Sequence, residues 1–122
     1  MEDRLRIKLW FLISVLVLSL LASPALAAQV KPAAALAIAL SDNRFILTWT
    51  DNANNEKLFY VLERVGPASA AWIVLGTTDE NVNTFEGMLP ALPNAKVCWR
   101  VVAANDAGDA NPTNTVCVKV PK

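Results

Sequence analysis

The 122-residue sequence contains no histidine, only two cysteines and only four glycines, and each shortage closes off a class of function. Without histidine the usual general base and the catalytic triads are missing, and two cysteines fall short of the roughly four ligands a structural zinc takes. The glycines Gly66, Gly76, Gly87 and Gly108 stand singly. They read as isolated turn residues rather than as a loop that cradles phosphate. Charge is sparse as well, with 11 Lys and Arg against 11 Asp and Glu. The cations are scattered along the chain, which argues against nucleic acid or another polyanion as a partner. Neither an enzyme nor a cofactor is expected.

What is present begins with Arg4, Arg6 and Lys8 ahead of an apolar run from Leu9 to Leu21, followed by Ala22-Ser23-Pro24-Ala25-Leu26-Ala27. This is the layout of a secretory signal peptide, residues 1–27, with a small-x-small cleavage site that leaves Ala28 first. Because Leu9 to Ala28 approaches the roughly 20 residues a membrane-spanning helix needs, an uncleaved signal anchor is the alternative. No cysteine lies near the cleavage region, which excludes a lipoprotein anchor. The predicted location is secreted, periplasmic or at the cell envelope. Beyond the cleavage site, residues 28–35 read as a flexible Ala/Pro linker and residues 36–122 as one domain. That mature part carries eight Lys and Arg against nine Asp and Glu. In an exported chain of this kind the two cysteines are expected to form a disulfide.

From Leu36 onward, short apolar runs alternate with Asn, Asp, Gly and Pro clusters about every 8–12 residues, the pattern of an all-β sandwich. Leu36 to Leu40 reads as a first strand turned by Ser41-Asp42-Asn43. Arg44 to Thr50 follows, with Phe45, Leu47 and Trp49 on one face and Trp49 as a core anchor. In Phe59 to Arg64, Tyr60 and Leu62 share a face opposite Val61 and Glu63. Gly66-Pro67-Ala68-Ser69 makes a turn, and Trp72 to Leu75 and Asn83 to Phe85 are short strands.

The final quarter is a β-hairpin with a cysteine on each arm. Val97, Trp99, Val101 and Ala103 alternate with Cys98, Arg100 and Val102, and Val116, Val118 and Val120 alternate with Cys117 and Lys119. Opposing Cys98 to Cys117 sets Trp99 against Val116 and Val97 against Val118, so the apolar faces coincide and the cysteines lie on the other face. A slip of one residue would break that agreement. This register puts the turn between Ala107 and Gly108, with Asp106 to Asp109 as loop, where turn-forming residues stand.

With these residues in view, the sequence resembles a fibronectin type III domain from about Leu36 to Val120. Trp99-Arg100-Val101-Val102-Ala103-Ala104-Asn105-Asp106-Ala107-Gly108 resembles the family's sixth strand and its following turn, and Trp49 falls where the family keeps its second-strand tryptophan. Asp51-Asn52, Glu56 and Tyr60-Val61-Leu62-Glu63-Arg64 resemble the segment between the second and third strands in a subgroup common in exported bacterial proteins. A cysteine on each of the last two strands is similar to members of that subgroup. The resemblance implies an immunoglobulin-like, seven-stranded antiparallel β-sandwich after an N-terminal signal helix. Val97 stands where the family usually has a tyrosine that pins the preceding loop, so that anchor is missing.

Candidate sites are few. Asp51, Asn52, Asn54, Asn55 and Glu56 offer oxygens to calcium, as do Asp79, Glu80, Asn81 and Asn83, but neither group has the EF-hand order and Asx residues are ordinary turn formers. No metal site is expected. Trp72, Phe59 and Phe85 could form an exposed aromatic platform for sugar or peptide, with Trp72 and Phe59 as the candidate binding surface. Arg100 is expected as solvated surface on an outer strand face, where Glu63 or another carboxylate could pair with it. The expected function is therefore non-catalytic binding of a protein or carbohydrate, without nucleic acid and with membrane contact only through an uncleaved signal segment. The alternative is a membrane-tethered structural spacer or assembly subunit.

Overall fold

A computed structural model describes residues 28–122, so the signal-peptide reading of residues 1–27 lies outside the described residues. The strands are β1 (Ala34–Ser41), β2 (Arg44–Thr50), β3 (Leu58–Val65), β4 (Ile73–Asp79), β5 (Thr84–Met88), β6 (Lys96–Asn105), β7 (Gly108–Asp109) and β8 (Val116–Lys119). They form two antiparallel sheets, a three-stranded one in the order β1-β2-β5 and a five-stranded one in the order β4-β3-β6-β7, with β8 also pairing β6. Because β7 and β8 are two pieces of one returning arm, this is the seven-stranded sandwich that the sequence resemblance implies. Among the described residues there is no helix.

Period-two alternation decides which side chains meet between the sheets. From β2 come Phe45, Leu47 and Trp49, from β3 Phe59 and Val61, and from β6 Val97, Trp99 and Val101, all buried. Phe45 lies 4.6 Å from the Trp99 ring, and Trp49 meets Phe59 edge-on at 5.5 Å. Gly76 and Gly87 are strand residues rather than the turn residues expected of them. Their missing side chains make room for aromatic rings: a Cβ at Gly87 would lie 2.6 Å from Phe45, and one at Gly76 2.9 Å from Phe85.

The domain also begins earlier than its sequence suggests. Val30 and Ala33 are part of the core, so residues 28–35 are a docked segment and not a flexible linker. Three side-chain amides hold that segment: Asn105 Nδ2 and Asn55 Nδ2 donate to the Ala28 carbonyl at 2.7 and 3.2 Å, and Asn52 Nδ2 donates to Pro32 at 3.2 Å.

In β1 the register passes from Ala34 opposite Thr50 to Ala37 opposite Thr48, leaving Ala35 and Leu36 facing Trp49. Ala35 occupies the left-handed region at φ 55°, the place glycine usually takes in such a bulge. The bulge frees the backbone of Leu36 for Asn114. Asn114 Oδ1 accepts from the Leu36 N–H at 2.8 Å, and its Nδ2 donates to the Leu36 carbonyl at 3.0 Å. One amide side chain thereby ties an edge of the three-stranded sheet to the arm leading into β8.

The hairpin register is the expected one beside the cysteines, where Val97, Cys98 and Trp99 oppose Val118, Cys117 and Val116. Cys98 and Cys117 form a disulfide. Toward the turn the register differs: Ala104 opposes Asp109 and Asn105 opposes Gly108, so the turn is Asp106-Ala107, one residue earlier than expected. Gly108 accepts φ 126°, and Asn105 Oδ1 accepts from the Ala107 N–H at 2.8 Å. The return arm accommodates its extra residues between β7 and β8, where Pro112 has no N–H to offer. There Thr113 donates its N–H to the Val101 carbonyl at 2.9 Å, and its hydroxyl accepts from the Val101 N–H at 3.0 Å.

Candidate functional site

The inward set of β3 and β6 determines what their outer faces present. With Phe59, Val61 and Glu63 turned inward, Tyr60, Leu62 and Arg64 face outward; with Val97, Trp99 and Val101 inward, Lys96, Cys98 and Arg100 face outward. The register sets Leu62 beside Arg100 and Arg64 beside Cys98. Trp72, immediately before β4, comes over this surface. The guanidinium carbons of Arg64 and Arg100 lie 4.5 and 4.4 Å from the centroid of its ring.

A cation close to an aromatic ring is drawn to its negative face, an attraction of about 0.5–1 kcal/mol at exposed sites and about 2 when desolvated. Here two guanidinium groups share one indole. The Nε atoms of Arg64 and Arg100 are buried without a hydrogen-bond acceptor, and neither guanidinium pairs with a carboxylate among the described residues; beside the ring, Arg64 Nη1 donates a long hydrogen bond to the Ala68 carbonyl at 3.5 Å. Trp72 is half-buried in consequence. The arrangement restrains three long side chains against one another on the outer face of the sheet.

The three candidate aromatics do not form one platform. Phe59 is fully buried against Trp49, because its position has the inward parity of Val61, and it offers no binding surface. Phe85 lies against Phe45 at 6.3 Å between ring centroids, on the other sheet. Trp72 remains as the surface aromatic.

Glu63 does not pair with Arg100, since the two lie on opposite faces. Its carboxylate is tucked inward and accepts from the Trp99 indole N–H at 3.2 Å. Burial pushes the Glu63 carboxyl above the usual carboxylate range, and the Trp99 hydrogen bond offsets part of that rise. The sequence disguised this role, because a glutamate in a strand ordinarily points to water.

The oxygen-rich loop after β2 holds structure together. Asp51 Oδ1 accepts from the Ala53 N–H at 3.1 Å, and Glu56 Oε1 accepts from the Asn81 N–H at 3.1 Å while the side chain is buried. With Asn52 and Asn55 donating to the segment at Ala28 and Pro32, these side chains fasten the loops at one end of the sandwich.

The described fold is similar to several solved structures. It superposes on the twitchin kinase region from C. elegans with a TM-score of 0.62 at 16% identity, covering 78% of this chain and 17% of that one. For the FN1-FN3 domains of chicken CNTN1 the TM-score is 0.62 at 16% identity, covering 80% of this chain and 34% of that one. For the FN5 domain of Drosophila Lar it is 0.55 at 12% identity, covering 77% and 99%. The chain thus spans a minor part of the first two and nearly all of the third. Neither the protein-family models nor the curated proteins yield a match. At these identities the likeness is one of fold. Residues 28–122 carry a fibronectin type III fold, closed by a disulfide between the sixth strand and the returning arm.

Proposed function

We propose that this protein is an exported, non-catalytic binding module that engages a protein or glycan at the cell envelope or outside the cell. Its working surface is the outer face of the five-stranded sheet around Trp72. The observation that carries this reading is the clamp itself: an indole held by Arg64 and Arg100, preordered on a solvent-facing sheet. Folds of this kind act by presenting surfaces, and function follows the residues placed on them. The Cys98–Cys117 disulfide suits an oxidising compartment, as does the signal-like N-terminus. The absence of histidine and the structural use of Asp51, Glu56 and Glu63 leave little for acid–base chemistry.

The test combines location with binding. Intact mass of the exported protein is expected to correspond to a chain beginning at Ala28. A full-length mass confined to the membrane fraction would support the tethered-spacer alternative, which the apolar run from Leu9 favours. In a screen of envelope proteins and polysaccharides, Trp72→Ala is expected to lose the ligand, while Thr48→Ala on the outer face of the other sheet keeps it. Equal binding by both variants would remove Trp72 from the function.

A further inference from the structure

The Trp72 face carries more charge than the sequence order of its residues suggests. Pairing sets Cys98 between Arg64 and Cys117, and Lys96 directly opposite Lys119. Neighbouring strands lie about 4.8 Å apart and alternate residues about 6.8 Å along a strand, so Arg64, Lys96, Arg100 and Lys119 surround the disulfide within two ladder steps. These are four of the eight cations in residues 28–122, drawn from three strands far apart in sequence. The scattered cations of the sequence become a cluster in the fold.

Nothing in the described structure neutralises them. Among the described residues the ion pairs are Arg44 with Glu86 and Lys57 with Asp106. Glu63, beside Arg64 in sequence, faces the core. Asp51, Asp79, Glu80, Asp106 and Asp109 stand at the opposite end of the strands, and Asp42 and Glu86 belong to the three-stranded sheet, so no carboxylate among the described residues lies beside these cations on the outer face of their own sheet. Like charges directly across a β-ladder are destabilising, so the Lys96 and Lys119 pair is a standing cost to the fold. An anion seated between them removes it.

We propose that this cluster binds an acidic polysaccharide, through carboxylate or sulfate groups repeated along an extended chain. This deepens the binding-module reading and rests on it. Lys96 and Lys119 are exposed and border an open, shallow recess lined also by Asn94, Cys117 and Val118. Such a flat, cation-studded surface suits a chain laid across it. Guanidinium forks pair with planar carboxylate or sulfate groups, while the lysines act as point charges. Trp72 is half-buried, with the guanidinium carbons of Arg64 and Arg100 at 4.5 and 4.4 Å from its ring, so the indole is already engaged by the cations of the cluster.

The experiment uses the exported, disulfide-intact protein against alginate, dextran sulfate, neutral dextran, phosphatidylglycerol vesicles and single-stranded poly(dT). Alginate and dextran sulfate separate carboxylate from sulfate as the source of charge. Binding to at least one of them, and not to neutral dextran, is expected. Four contacts on a flexible polyanion give a slope of log affinity against log salt of about −3. K96Q/K119Q should weaken binding at least tenfold at low salt and roughly halve that slope, whereas K31Q/K57Q at the other end should change neither. Circular dichroism and intact mass confirm that each variant folds with its disulfide. The proposal is overturned if neither acidic polysaccharide binds, if neutral dextran binds equally, if vesicles or poly(dT) are preferred, or if K96Q/K119Q matches the native protein. A protein or neutral glycan lost in Trp72→Ala, yet indifferent to salt and to K96Q/K119Q, would keep the binding module and overturn only its acidic ligand.

Discussion

Replacing Asn114 tests how the open side of the sandwich is held. Its amide makes two hydrogen bonds to the Leu36 backbone, at 2.8 and 3.0 Å, across the gap between β1 and the arm before β8. A hydrogen bond of this kind contributes about 0.5–1.5 kcal/mol net, so Asn114→Ala should lose about 1–3 kcal/mol. For a domain of this size that corresponds to a fall in Tm of roughly 5–20 °C. Thermal unfolding followed by circular dichroism, with the disulfide intact, measures it. Asn114→Asp supplies an internal control. At neutral pH its carboxylate still accepts from the Leu36 N–H but sets a second negative oxygen against the Leu36 carbonyl; at low pH its hydroxyl can donate there. The Asp variant should therefore lie nearer to the native protein at pH 3 than at pH 7. A Tm change below about 2 °C for Asn114→Ala, or an Asp variant whose deficit does not depend on pH, would refute the clip.

Three other outcomes follow from the geometry. Ala35→Gly should raise stability by about 0.5–1 kcal/mol in urea titrations, because Ala35 sits at φ 55° where glycine is unstrained. Replacing both Cys98 and Cys117 by alanine should cost about 3 kcal/mol, the loop-closure entropy of a sequence separation of 19 residues. Glu63→Gln should become more stable relative to the native protein as pH rises from about 4 toward 7. The raised pKa of Glu63 means that the folded state holds its proton longer than the unfolded chain, so its contribution is full below the unfolded value and is lost as pH rises through the folded one. A difference in Tm that stays constant across that range would show that Glu63 ionises alike in both states.

The parts of the fold legible in the sequence were those in which one face alone is apolar. Arg44 to Thr50 alternates cleanly, and its buried set of Phe45, Leu47 and Trp49 matches the pattern. The cysteine register was legible because the apolar faces of both arms coincide when Cys98 opposes Cys117, and a one-residue slip would break that agreement. In Leu58 to Val65 both faces carry apolar residues, so parity could not say that Phe59 is core and Tyr60 surface. Glu63 inside the sandwich defeats the same rule. The bulge at Ala35 was illegible because alanine takes a position that glycine would have announced. The Trp72 cluster depends on pairing between strands far apart: Arg64, Arg100 and Lys119 are neighbours only through the β3-β6-β8 ladder.

The central claim, that the outer face of the five-stranded sheet is the working surface, is tested most directly by NMR titration of the ¹⁵N-labelled protein with the ligand it binds. The prediction is that the Trp72 indole signal shifts together with the backbone amides of Arg64, Lys96, Arg100 and Lys119, while the indoles of the buried Trp49 and Trp99 stay in place. Shifts confined to Arg44, Thr48 and Glu86 on the other sheet, or to the loops around Asn55 and Asp106, would contradict it.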